Sequence, residues 1–177
     1  MFELILMLQI LDNFLSDDEL SEILSIIDSS TWKHEGYSNP NEDTIFWRML
    51  ISDDMFIEKI LSKLEKHTKK KYEICKHDNT LKVYANGQTY GLDGSWHFDD
   101  DREDMYTLII YVSNITPENI KNNGGYIHFN LNDILMNVEP YIKRAVFFDS
   151  RILHRGMAPL NKNMLRISIA FKLKEIK

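Results

Sequence analysis

The stretch GSWHFDDDREDMYTLIIYV, residues 94–112, sets a histidine two positions before an aspartate and then turns at once into an apolar run. Side chains two apart on a strand share a face. A strand over 95–99 would therefore aim His97 and Asp99 into one space and pack Trp96 and Phe98 on the other side. Two ligands of a single metal ion need that arrangement. Residues 106–112, rich in Tyr, Ile and Val, read as a core strand following the pair. The spacing by itself is common, so the remainder of the chain must decide its meaning.

The deciding partner is FFDSRILHRGMAPLNKNMLRISIAFKL, residues 147–173, where His154 ends a short apolar strand and Arg166 and Ser168 alternate along a later one. Two histidines and a carboxylate on one face of an octahedral ion leave three positions open, the arrangement of non-haem Fe(II) oxygenases. A dicarboxylic oxo acid fills two of these through its keto and adjacent carboxylate oxygens. Its far carboxylate then needs a buried cation, which Arg166 would supply as a bidentate fork. An arginine among Leu165, Ile167 and Ile169 is costly to bury without an anion, and Asp149 is the competing internal partner. Ser168, on the same strand face, adds a hydroxyl donor.

With these residues in place, the sequence resembles the Fe(II)/2-oxoglutarate-dependent oxygenases and, within them, the prolyl 4-hydroxylase-like branch. The resemblance rests on HFD at 97–99, the strand YTLIIYV, the turn GGYIHF at 124–129, FFDS at 147–150, LHRG around His154 and RIS at 166–168, in order across residues 11–173. It implies an α+β, mainly β fold: a double-stranded β-helix, or jelly roll, buttressed by N-terminal helices. It also implies His97, Asp99 and His154 as the catalytic metal ligands. Arg166 and Ser168 would hold the co-substrate, together with Tyr84 in KVYANG, Tyr111 in LIIYV and, as a weaker candidate, Tyr90. The implied cofactors are Fe(II), 2-oxoglutarate and O2, with ascorbate as a candidate auxiliary reductant. The implied activity is hydroxylation of a prolyl or other residue of a peptide or protein, releasing succinate and CO2. A free amino acid or other small metabolite is the alternative substrate, and a non-catalytic metal-binding jelly-roll module the alternative of a different class.

Composition narrows the rest. The chain has 177 residues, 44% hydrophobic and 27% charged, which fits a single oxygenase-sized domain over 1–177. A net charge of -6 disfavours a nucleic-acid partner, which requires a concentrated basic face. Cys75 is the one cysteine, so no internal disulfide forms. The apolar opening MFELILMLQIL contains Glu3 and is too short to span a bilayer, which predicts a buried strand, no membrane partner and a cytoplasmic protein. Nothing in the sequence signals an oligomeric state.

Ser16 and Glu19 have capping-box spacing before Leu20, Ile23, Leu24 and Ile27, predicting a helix over 17–29. A second helix follows residues 52–54, with Phe56, Ile57, Ile60, Leu61 and Leu64 on one face, and residues 35–43 read as a loop. Further strands are expected at 72–76, 80–84, 125–129, 134–138, 145–149, 152–154 and 165–173. Strand alternation offers His128 as a substrate-side candidate, and the acids Asp100, Asp101, Glu103 and Asp104 form either a solvated loop or a lure for a basic substrate.

Overall fold

The computed structural model describes residues 7–38, 44–77 and 80–176. Helix α1 (Asp17–Ser29) starts where the Ser16 hydroxyl accepts the Glu19 amide at 3.2 Å and the Glu19 carboxylate accepts the Ser16 amide at 2.7 Å. Helix α2 (Asp54–Thr68) starts at Asp53, whose carboxylate accepts the Phe56 amide at 2.8 Å, and ends at Lys69 in the left-handed region. The helices bury Ile23 and Ile27, and Phe56, Ile57, Ile60 and Leu64. Lys63 and Glu19 join them at 2.5 Å.

The strands, in chain order, are β1 (Leu8–Leu11), β2 (Lys33–Gly36), β3 (Phe46–Leu50), β4 (Lys71–Ile74), β5 (Lys76–His77), β6 (Thr80–Leu81) and β7 (Val83–Gln88). They continue with β8 (Met105–Tyr111), β9 (Ile127–Leu131), β10 (Ile134–Val138), β11 (Ala145–Asp149), β12 (Leu153–Gly156) and β13 (Arg166–Ile176). A large antiparallel sheet has the order β1-β11-β8-β13-β7-β3-β2, with β4 also on β13. A small sheet has the order β10-β9-β12, and β5 and β6 form a hairpin. The mainly β architecture, buttressed on one side by the N-terminal helices, is the expected one.

Alternation along β13 divides its residues between two environments. Ile169, Phe171 and Leu173 join the helices in one apolar core with Ile23, Phe56, Ile60 and Leu64. Arg166, Ser168, Ala170 and Lys172 line a cavity on the other face. A second core of Tyr111, Ile127, Phe129, Val146, Phe148 and Ile152 closes the base between the sheets.

Four expectations are corrected. Residues 95–99 are not a strand: among them only His97 makes a bridge, to His154, because the segment is tied to β12 at widely spaced points. Phe98 consequently does not pack behind the site and is 60% exposed. The presumed loop 35–43 begins inside β2, whose polar sequence KHEG lacks apolar alternation and pairs at the sheet edge with β3; residues 39–43 lie outside the described ones. The strand expected at 80–84 instead divides into β6 and β7, and β7 runs on to Gln88, taking Asn86 and Gln88 into the sheet. Of the apolar opening, residues 1–6 lie outside the described residues, and β1 is a half-buried edge strand on β11.

Candidate metal centre

Two backbone hydrogen bonds bring His97 and His154 together: each accepts the other's amide at 3.0 Å, leaving their rings 4.4 Å apart between centroids. The Asp99 amide is held by the Ser150 carbonyl at 3.0 Å. One ligand atom from each of His97, Asp99 and His154 then lies within 4.8 Å of the others. These three residues are separated by 57 positions of chain at most, yet form one cluster at the floor of the cavity.

The donor chemistry fits a divalent ion. His97 Nδ1 donates to the Ser95 carbonyl at 2.9 Å and His154 Nδ1 to the Ile152 carbonyl at 2.8 Å. A carbonyl can only accept, so in the neutral rings the proton sits on Nδ1 and Nε2 carries the lone pair. The two Nε2 atoms face Asp99 at 3.5 and 3.6 Å, too far for strong hydrogen bonds. Burial pulls the His154 pKa down to about 4, keeping the ring neutral as a ligand must be.

The Asp99 carboxylate is buried, which by itself raises its pKa, but the charge of Lys172, with smaller contributions from His154 and His97, overrides this and holds it well below the usual carboxylate range. Its Oδ2 accepts Thr107 Oγ1 at 2.6 Å and contacts Lys172 Nζ. The carboxylate is thus ionised and braced on one oxygen.

Arg166 is 3% exposed. Its Nε donates to the Gly125 carbonyl at 2.9 Å, and one terminal nitrogen donates to Gln88 Oε1 at 2.8 Å and Ser168 Oγ at 3.4 Å. Among the described residues, no carboxylate pairs with it. Asp149, its competing partner, instead takes Arg151 at 3.0 and 2.7 Å. Burial lowers the Arg166 pKa, opposed by Tyr111, whose ring lies 5.2 Å from the guanidinium carbon. The Tyr111 hydroxyl is buried without a hydrogen-bond partner among the described residues, and burial pushes its pKa up to about 12. A buried cation and an orphaned hydroxyl side by side call for an anionic ligand.

Tyr84 and Ser168 line the same cavity of about 780 Å³. Tyr90 does not: it is 52% exposed, under Lys162. His128 accepts Arg155 Nε at 3.4 Å beside Trp96, and it is Ile127, one residue earlier, that lines the cavity. Asp100 pairs with Arg102 and Glu103 with Arg151, leaving less free acid than the sequence offered. Lys172, Gln88 and Arg48 are cavity residues that the sequence reading passed over. Alternation from Arg166 reaches Lys172 and could have found it.

No protein-family model and no curated protein matches the sequence. Solved structures do. The fold is that of the 2-oxoglutarate/Fe(II) oxygenases, prolyl hydroxylases among them. A Trichoplax adhaerens prolyl hydroxylase, in complex with a hypoxia inducible factor oxygen degradation domain peptide fragment, matches at TM-score 0.71 and 19% identity, over 95% of this chain and 83% of that one. A Pseudomonas putida prolyl-4-hydroxylase matches at 0.65 and 14%, over 96% and 93%. HygX from Streptomyces hygroscopicus, with nickel and 2-oxoglutarate bound, matches at 0.64 and 9%, over 94% and 82%.

Proposed function

We propose that this chain is an Fe(II)- and 2-oxoglutarate-dependent oxygenase of one domain, hydroxylating a prolyl or other residue of a peptide or protein. The observation that carries the reading is Arg166, a buried guanidinium without a carboxylate partner among the described residues, in the same cavity as two imidazoles and an ionised carboxylate. The nickel and 2-oxoglutarate in HygX and the peptide in the Trichoplax enzyme support the cofactor and the substrate class respectively.

His97, Asp99 and His154 would hold the metal through Nε2, a carboxylate oxygen and Nε2. Ferrous iron and 2-oxoglutarate supply the oxidising chemistry by which O2 is reduced, the oxo acid leaves as succinate and CO2, and the substrate gains a hydroxyl. The backbone carbonyls of Ser95 and Ile152 hold Nδ1 of both rings and so turn Nε2 toward the metal position. Thr107 and Lys172 occupy Asp99 Oδ2 and keep Oδ1 for the metal. Arg166 takes the far carboxylate, with Gln88 and the Gly125 carbonyl fixing its plane and Ser168, Tyr111 and Tyr84 contributing hydroxyls.

The test is succinate release from 2-oxoglutarate, measured with and without Fe(II) and in Asp99→Ala. The reading expects release that requires Fe(II) and falls by at least about a hundredfold in the variant, the scale of a lost metal ligand or its support. Equal signal in all samples would remove it.

A further inference from the structure

The cavity extends well past the space that a five-carbon diacid on Arg166 would take, and its far wall carries another arginine. Arg48 on β3 is in register with Asn86 on β7, which is in register with Ser168 on β13. Two inter-strand steps of about 4.8 Å separate Arg48 from Ser168 along this row. Arg48 therefore stands two strands away from the row that carries Arg166.

Its surroundings hold it as a prepared anion receptor. Nε donates to Asn86 Oδ1 at 3.4 Å and a terminal nitrogen to the Tyr37 carbonyl at 3.2 Å. The guanidinium carbon lies 4.6 Å from the Tyr84 ring centre and 5.7 Å from that of Tyr37. Stacking fixes the plane of the fork, and two hydrogen bonds leave most of its five donors unused. No carboxylate among the described residues pairs with it. Of the other charges in the lining, Lys172 faces Asp99, Asp100 pairs with Arg102 at 2.8 Å and Lys33 lies 4.0 Å from Glu35, while Lys82 adds a further cation. A cavity cation without a carboxylate partner among the described residues, in a chain with net charge -6, is a local feature and not a reflection of bulk charge. Tyr37, Leu50 and Phe98 line the same cavity and are 45%, 56% and 60% exposed.

We infer that the substrate carries an anionic group, a carboxylate or a phosphoryl, that docks on Arg48 against Tyr84, with an apolar body lying toward Tyr37, Leu50 and Phe98. The inference names the substrate class for the oxygenase reading and rests on that reading for its chemistry. An acidic side chain or a phosphorylated residue of a peptide satisfies it. A basic substrate does not.

The test uses the whole chain, anaerobic, with Mn(II) and saturating 2-oxoglutarate, whose own binding is measured first by calorimetry. Benzoate, phenyl phosphate, benzamide and benzylammonium are then titrated at constant ionic strength. The expected result is that benzoate or phenyl phosphate binds at least about tenfold more tightly than the neutral and cationic probes, the scale of a charge-assisted fork. Whichever anion wins identifies the source chemistry. Arg48→Gln should erase the preference and Arg48→Lys should keep part of it, with circular dichroism reporting the fold of each. Equal binding of all four probes, a preference for benzylammonium, or an unchanged preference in Arg48→Gln would overturn the inference. Failure of 2-oxoglutarate to bind while the anion preference stands would remove the oxygenase reading and leave the anion site.

Discussion

Asp99 and Lys172 form the most consequential pair of side chains in the cavity. The Lys172 side chain is mostly buried, its charge is stabilised by Asp99, and Asp99 in turn stays ionised largely because of Lys172. Breaking one side of such a pair strands the other. In metal-free protein, Lys172→Met should cost about 3 kcal/mol in urea unfolding, and adding Asp99→Asn should recover a substantial part of that loss. Strictly additive losses would mean the two groups do not interact. At this scale the sequence was partly legible. His97, Asp99, His154 and Arg166 stand out because each residue type has narrow chemistry at its spacing. Lys172 resembles any surface lysine until the strand face it occupies is known, and Arg48 is a lone charge in the apolar run at 45–51, which has no polar alternation to mark it as a strand face.

The β13 strand and the glycine turn before β9 are the elements that set up the co-substrate pocket. A period of two sends Arg166, Ser168 and Lys172 to the cavity while Ile169, Phe171 and Leu173 anchor the strand on the helices. Gly125 has φ +81°, and a Cβ there would meet Arg166 Cδ at 3.2 Å. Gly125→Ala should therefore destabilise the protein by about 1–2 kcal/mol through backbone strain. It should also weaken 2-oxoglutarate binding, because the carbonyl that orients Arg166 belongs to the same residue. Calorimetry and thermal unfolding on one preparation check both effects; wild-type affinity in the variant would show that the turn does not orient Arg166. Helices α1 and α2 were readable from their caps and apolar stripes. The 95–99 segment was not, because it borrows its extended form from isolated hydrogen bonds to β12 rather than from a ladder of its own.

Across the whole molecule, the large sheet separates two tasks: one face packs against the helices as an apolar core, and the other carries polar side chains around a cavity of about 780 Å³. No helix among the described residues is long and apolar enough to cross a membrane. The β-rich composition and the order of motifs made the architecture readable, since strand alternation survives large sequence divergence; the substrate end was not, because it is built from β3, β7 and the segment around Phe98, far apart in sequence. His97, Asp99 and His154, so widely separated in the chain, converge where a single ion would bind. Anomalous diffraction at the manganese edge, from crystals grown anaerobically with Mn(II), tests it directly. One strong peak in coordination contact with His97 Nε2, an Asp99 oxygen and His154 Nε2 is the predicted result, whereas a peak elsewhere, or none at saturating metal, would contradict it.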